Sequence, residues 1–136
     1  AKEFGSQCVV LAIDTKKESD DNWYVYLNGG RLKTNVLAFD WAKQAVDLGA
    51  GEILLTSMNN DGVKNGFAED ITSLFSHNLP VPVIASGGAG NMQHFADVFM
   101  NANADAALAA SVFHFGEIKI PELKKYLFQK NINVRL

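Results

Sequence analysis

Four short, nearly continuous apolar runs recur along the chain, and each is followed by a polar or glycine-bearing loop and then by a segment of helical period. The runs are Cys8 to Ile13, Glu52 to Thr56, Val81 to Ala85 and Ala106 to Ala110. Because they lack period-two alternation, they predict strands covered on both faces, as in a parallel sheet. The last run is rich in alanine and by composition alone could equally be helix. Helical period is plainest in Val36 to Leu48, where Leu37, Trp41, Ala45 and Leu48 form one apolar stripe that Gly49 terminates. In Asn91 to Ala102 the stripe is Met92, Phe95, Phe99 and Ala102. Pro121 opens a last helix carrying Leu123 and Leu127. A shorter helix is predicted over Ala68 to Ser76, with Glu69 and Asp70 near the positive end of its dipole.

The first unit carries an insert. Trp23 to Leu27 is aromatic and β-branched, Asn28-Gly29-Gly30 is a turn signal, and Arg31 to Thr34 returns as a second strand, which together predict a β-hairpin. Trp23, Tyr24 and Tyr26 are expected to pack that hairpin, and the charged stretch Lys16 to Asp21 to be a solvated loop tip. The pattern is therefore (βα)4 in one domain, residues 1–136, with strands near 8–14, 52–57, 81–86 and 105–110. Ala1 to Gly5 resembles the last turn of a helix stopped by glycine, so the chain is expected to begin partway through a larger repeating pattern.

Length and composition then narrow the reading. The chain's 136 residues, 48% hydrophobic and 20% charged, suit one globular domain. They are about half of the roughly 250 that a closed (β/α)8 barrel needs. A formal net charge of -3 argues against a general nucleic-acid surface, which requires clustered Lys and Arg. No apolar stretch approaches the roughly 20 residues that cross a bilayer. Lys2-Glu3 is not followed by a signal-peptide core, so a cytoplasmic protein without membrane contact is expected. The single cysteine, Cys8, has no internal disulfide partner and is predicted to be a buried thiol on a strand, in keeping with a reducing compartment. His77, His94 and His114 lack metal-ligand spacing and are read as structural or surface residues, with no metal or cofactor implied.

In parallel α/β architectures ligands bind at the carboxyl ends of strands. Those ends here are Asp14, then Thr56 and Ser57 leading into Asn59-Asn60-Asp61-Gly62, then Ser86-Gly87-Gly88-Ala89-Gly90, then Ser111. Asp14, at a sheet mouth against apolar walls, is either a general acid or base or a cap on local backbone donors. Asp61 belongs to an Asp-Gly turn dipeptide or contributes a carboxylate to a site. The glycine-rich loop is either an anion cradle or a tight strand-to-helix turn. It lacks the Lys-Ser/Thr of a P-loop and the spacing of a dinucleotide fingerprint, which disfavours a nucleoside triphosphate or NAD. A short helix beginning at Ser111 would bring further N–H groups to the same phosphate.

These strand ends carry a resemblance. Phe4-Gly5-Ser6-Gln7, Val10 to Asp14, Gly29-Gly30-Arg31, Leu48 to Met58, Asp61-Gly62, Ile84 to Gly90, Ala106 to Phe115 and Asn133-Val134-Arg135-Leu136 resemble, in order, the carboxyl-terminal half of the cyclase-subunit family of imidazole glycerol phosphate synthase. The resemblance implies a (βα)4 half of a TIM (β/α)8 barrel. It implies an ammonia-dependent cyclase of histidine biosynthesis that forms imidazole glycerol phosphate and an aminoimidazole carboxamide ribonucleotide, inactive without the other half barrel. Asp14 is implied as one of two catalytic aspartates. Gly62, Gly88, Ala110 and Ser111 are implied as phosphate contacts beside Gly87, and Thr56, Asp61 and Ser86 as substrate lining. Gln7 and Glu52 are implied at the docking face of a glutaminase subunit. The chain departs from the family pattern at Asn35, Asn59, Val63 and Phe67, the last three in one loop. Two alternatives stand beside this: a phosphate-binding, self-associating half-barrel scaffold, and a paralogous amidotransferase-linked subunit acting on nucleotide or surface sugars. With two open sheet edges and an apolar inner face, pairing with an amino-terminal half barrel or homo-oligomerisation is expected.

Overall fold

A computed structural model describes all residues, 1–136. The elements are β1 (Val10–Lys17), β2 (Trp23–Leu27), β3 (Leu32–Leu37), α1 (Ala38–Asp47), β4 (Glu52–Ser57), α2 (Glu69–Asn78), β5 (Val83–Ser86), α3 (Met92–Met100), β6 (Ala106–Leu108), α4 (Ser111–His114) and α5 (Ile120–Gln129). They form one six-stranded sheet in the order β3-β2-β1-β4-β5-β6. Neighbours among β1, β4, β5 and β6 pair in parallel, the (βα) arrangement of a half barrel. The predicted hairpin is β2 and β3. Its first strand lies antiparallel against the carboxyl half of β1, from Asp14↔Tyr26 to Lys17↔Trp23. Asn28, Gly29 and Gly30 all have positive φ (54°, 63° and 83°), which explains the Asn-Gly-Gly turn.

The helices cover one face of the sheet. Ile13, Ile53, Leu55 and Val83 are buried against Ala38 and Ala42 of α1 and Ile71 and Phe75 of α2. Ala85 is buried with Phe95 and Val98 of α3 and Leu123 and Leu127 of α5. Edge-on ring pairs, Phe39 with Phe75 and Phe67 with Phe95, lock the two clusters. The opposite face carries Val10, Ala12, Leu54, Ile84, Ala106 and Leu108, of which Val10 and Leu108 are 49% and 43% exposed. The expectation of strands covered on both faces is thus met on one face within the chain. The apolar runs lack alternation because both faces are apolar, while burial still alternates strictly along β4 and β5.

Several expectations are corrected. Val36 and Leu37 belong to β3, and α1 buries Ala38, Ala42 and Ala45, whereas Leu48 is 74% exposed. Small alanines let the helix axis approach the sheet, so the buried stripe is rotated from the one that large side chains suggested. Cys8 is exposed and lies in a 3-10 turn, Ser6–Cys8, ahead of β1, with its Sγ 3.3 Å from the Phe4 carbonyl oxygen. Gly51 causes this: a Cβ there would sit 2.1 Å from the Ser6 oxygen, so the turn packs flush against it and leaves no strand ladder for Cys8. Asn35 is extended in β3 and does not adopt positive φ. The last run is strand only from Ala106 to Leu108, because β5 ends at Ser86 and offers no further partner. Ala1 to Gly5 is a single turn closed by Gly5 N–H donating to the Ala1 oxygen at 2.8 Å.

Candidate active site

Parallel register builds the site. Asp14 lies beside Thr56 and Thr56 beside Ser86, while Ser86 lies beside Leu108, so these residues form one row across the uncovered face at the carboxyl ends of β1, β4, β5 and β6. Two hollows open along the row. The first, about 330 Å³, is lined by Asp14, Gly29, Thr56, Met58 and Asp61. The second, about 180 Å³, is lined by Asp61, Gly62, Lys64, Ser86, Gly87, Gly88, Ala89, Leu108, Ala109, Ala110 and Ser111. Asp61 is common to both. Every strand-end residue expected in the substrate or phosphate site is therefore in one of two adjoining hollows, and Asp14 shares the first with Thr56.

The loop after β4 owes its shape to its asparagines. Asp61 N–H donates to the Ser57 oxygen at 2.9 Å. Ser57 Oγ donates to Asn60 Oδ1 at 2.7 Å, and Asn60 Nδ2 donates to the Gly66 oxygen at 2.9 Å. Gly66 N–H then donates to the Gly88 oxygen at 2.9 Å, joining this loop to the glycine-rich loop. Asn59 faces the other way. Its Oδ1 accepts from Lys17 N–H at 2.8 Å and its Nδ2 donates to the Lys17 oxygen at 3.3 Å, continuing the β1–β4 pairing beyond Thr15 and Ser57. Val63 is 51% exposed, and Phe67 is buried against Phe95. None of these three departures from the family pattern lines either hollow.

The glycine-rich loop is a tight strand-to-helix turn. It is tightly packed: a Cβ on Gly87 would meet the Ser57 oxygen at 2.7 Å, and one on Gly88 the Gly66 oxygen at 2.0 Å, with φ of 89° and 111°. It also presents donors. Gly87, Gly88 and Ala89 are buried, yet their N–H groups find no acceptor within the chain, and neither does that of Ser111 at the start of α4. These residues line the second hollow, so their N–H groups are free to pair with an acceptor that enters it. Behind it lies the start of α3, where Asn91 Oδ1 already accepts from His94 N–H at 3.1 Å. The helix contributes its positive end while its own cap stays satisfied. The one-turn α4 contributes a donor and little dipole.

Beyond Lys17, the charged loop between β1 and β2 is well paired. The Tyr26 hydroxyl donates to Glu18, and that of Tyr24 donates to Asp20 at 2.7 Å. These bonds hold both carboxylates below their usual range and both phenols above theirs. Lys17 is raised by its hydrogen bonds to Asp21 and Asp70, which tie β1 to the first turn of α2. No salt bridge engages Asp14 or Asp61. Gln7 and Glu52 lie at the opposite end of the strands: Gln7 in the exposed turn before β1, and Glu52 at the start of β4, beside Val10 on the uncovered face. Sequence reasoning missed Lys64, Met58 and Gly29 as lining residues. Lys64 had a signal, a cation two positions beyond Gly62; Met58 and Gly29 had none, since the hairpin's approach brings them in.

Parallel strands, a row of acid and hydroxyl at their carboxyl ends and an adjoining set of N–H donors define a βα-barrel-type protein. The chain belongs to the histidine biosynthesis protein family, which matches residues 1–119. It is 62% identical over 136 residues to the imidazole glycerol phosphate synthase subunit HisF of Phocaeicola vulgatus, covering 100% of this chain and 54% of that protein. It is 56% identical over 136 residues to the HisF subunit of Hydrogenobaculum sp., again covering 100% of this chain and 54% of the relative. With the HisF subunit of Bacteroides fragilis it shares 58% over 135 residues, covering 99% of this chain and 54% of the relative. The chain thus spans about half the length of the curated relatives it matches.

Proposed function

We propose that this chain supplies the carboxyl-terminal half barrel of an ammonia-dependent cyclase that forms imidazole glycerol phosphate and an aminoimidazole carboxamide ribonucleotide. The observation that carries the reading is the set of N–H groups at Gly87, Gly88, Ala89 and Ser111 that line one hollow without an acceptor in the chain, next to the hollow that holds Asp14. The cage takes one phosphate of a phosphorylated ribonucleotide through neutral donors. Gly62 and Ala110 complete its walls. Thr56 and Ser86 lie between the cage and Asp14 in the row, where their hydroxyls orient the substrate. Asp14 moves the proton at the ring-closing centre, and a carboxylate from the other half barrel serves as its counterpart across the mouth. Asp61, in the wall between the hollows, lines the substrate. Gln7 and Glu52 face a glutaminase partner that delivers ammonia.

Mixing the chain with an amino-terminal half barrel and assaying ammonium-dependent turnover tests this. Activity is expected only in the mixture, and Asp14→Asn should lower it by about 10²–10⁴-fold. Two folded halves that stay inactive together would defeat the proposal, and an unimpaired Asp14→Asn mixture would remove Asp14 from the chemistry. A second reading, a phosphate-binding half barrel that associates with itself, is favoured by the uncovered apolar face. Phosphate binding without turnover in every mixture would select it.

A further inference from the structure

Lys64 is the one cationic side chain among the residues lining the N–H cage, and the phosphate reading so far gives it no task. Its backbone is immobilised. Its φ is +61°, which is uncommon for a residue with a side chain, and a Cβ on Gly90 would come within 2.2 Å of its carbonyl oxygen, so the two loops are in close contact there. What is left to move is a flexible four-carbon stem ending in an ammonium group.

That ammonium is held by a carboxylate outside the cavity's lining. Lys64 Nζ donates to Glu117 Oε1 at 2.6 Å and to Oε2 at 2.8 Å. Glu117 follows Gly116, which turns the chain at φ 71° just after α4. The pair therefore bridges the loop after β4 and the segment after α4, the two segments that flank the donors of the cage. Both side chains are 40% exposed. An ion pair this solvated contributes little to stability, so exchanging its carboxylate for another anion is easy. A phosphate dianion in the cage carries more charge than the carboxylate and already has N–H partners in place.

We propose that Lys64 is the exchangeable cation of the phosphate site and that Glu117 competes with the phosphate for it. Glu117 thereby holds the affinity of the cage below what the same donors with a free lysine would reach, and it biases the site toward doubly charged phosphate monoesters. This rests on the reading of the cage as a phosphate site.

Titration calorimetry of the full chain with ribose 5-phosphate provides the test, with thermal melts confirming that each variant is folded. Glu117→Gln is expected to tighten binding by about three- to tenfold, and Lys64→Met to weaken it by about tenfold. In the Lys64→Met background Glu117→Gln should change nothing, because the competition has been removed. Weaker or unchanged binding in Glu117→Gln, or unchanged binding in Lys64→Met, overturns the inference. Ser111→Asp separates it from its premise by placing a negative charge in the cage. If the unaltered chain fails to bind, or Ser111→Asp binds as well as it does, the phosphate reading fails too. If Ser111→Asp abolishes binding while the Lys64 and Glu117 variants leave it unchanged, only the exchange is wrong.

Discussion

Tyr24 and Tyr26 each donate a phenolic hydrogen bond to an acidic residue of the loop that precedes their strand, and the protonation of both partners decides whether the bond exists. Glu18 and Asp20 are depressed from their usual 4.5 and 3.8 by these bonds. Their stabilisation is present above those values and is lost as pH falls through the depressed ones. Tyr24 and Tyr26 are raised from 10.0, so their contribution holds below that pH and is lost as pH rises through the raised values. The loop between β1 and β2 is therefore expected to be best ordered between about pH 5 and pH 10. Amide exchange of residues 18–27 should accelerate outside this window, and Tyr26→Phe should remove much of the acid-side dependence. At this scale the sequence was legible where a residue acts through its place on a strand. Asp14, Thr56 and Ser86 needed only strand ends and register. It was illegible where a side chain acts across loops distant in sequence. Asn59 replacing a strand bond at Lys17 and Lys64 reaching Glu117 depend on loop courses that no local pattern encodes.

Among the elements, α1 shows most plainly how size and burial separate. Its buried positions are Ala38, Ala42 and Ala45, with Ala38 and Ala42 fully inaccessible, while its largest aliphatic neighbour, Leu48, projects outward. Periodicity identified the helix to within two residues at its start but assigned the stripe to large side chains, because apolar patterns weight size and close helix-to-sheet approach selects against it. Ala42→Leu is accordingly expected to destabilise the fold by about 1–3 kcal/mol through overpacking. Leu48→Ser should stay within about 0.5 kcal/mol of the parent. Chemical denaturation of both variants would measure the difference. The helices α2 and α5 were legible for a simpler reason: acidic residues at the start of α2 and Pro121 in the first turn of α5 act within a few residues of themselves, and α3 was legible from its apolar stripe.

The molecule as a whole is one sheet with helices on one side. Val10, Leu54, Ile84 and Leu108 lie on the other side, and the strand-end row shares that face. Covering it by a second half barrel, or by another copy of the chain, is expected to show as a species larger than a monomer in light scattering at micromolar concentration. Leu54→Lys should shift that species toward monomer while leaving the circular dichroism unchanged, since Leu54 points away from both buried clusters. A monodisperse monomer from the unaltered chain would refute the expectation.

The two flanks of the sheet are unlike. On one, the hairpin screens the carboxyl half of β1 and leaves its amino half, Val10 to Ile13, without a strand on that side. On the other, β6 is three residues long and has β5 as its sole strand partner. The open edges are therefore β6, blunted by its length, and the amino half of β1, Val10 to Ile13, which β2 does not reach. A partner that closes a barrel meets both of these edges at once, so assembly through them is finite and does not extend as an open ribbon.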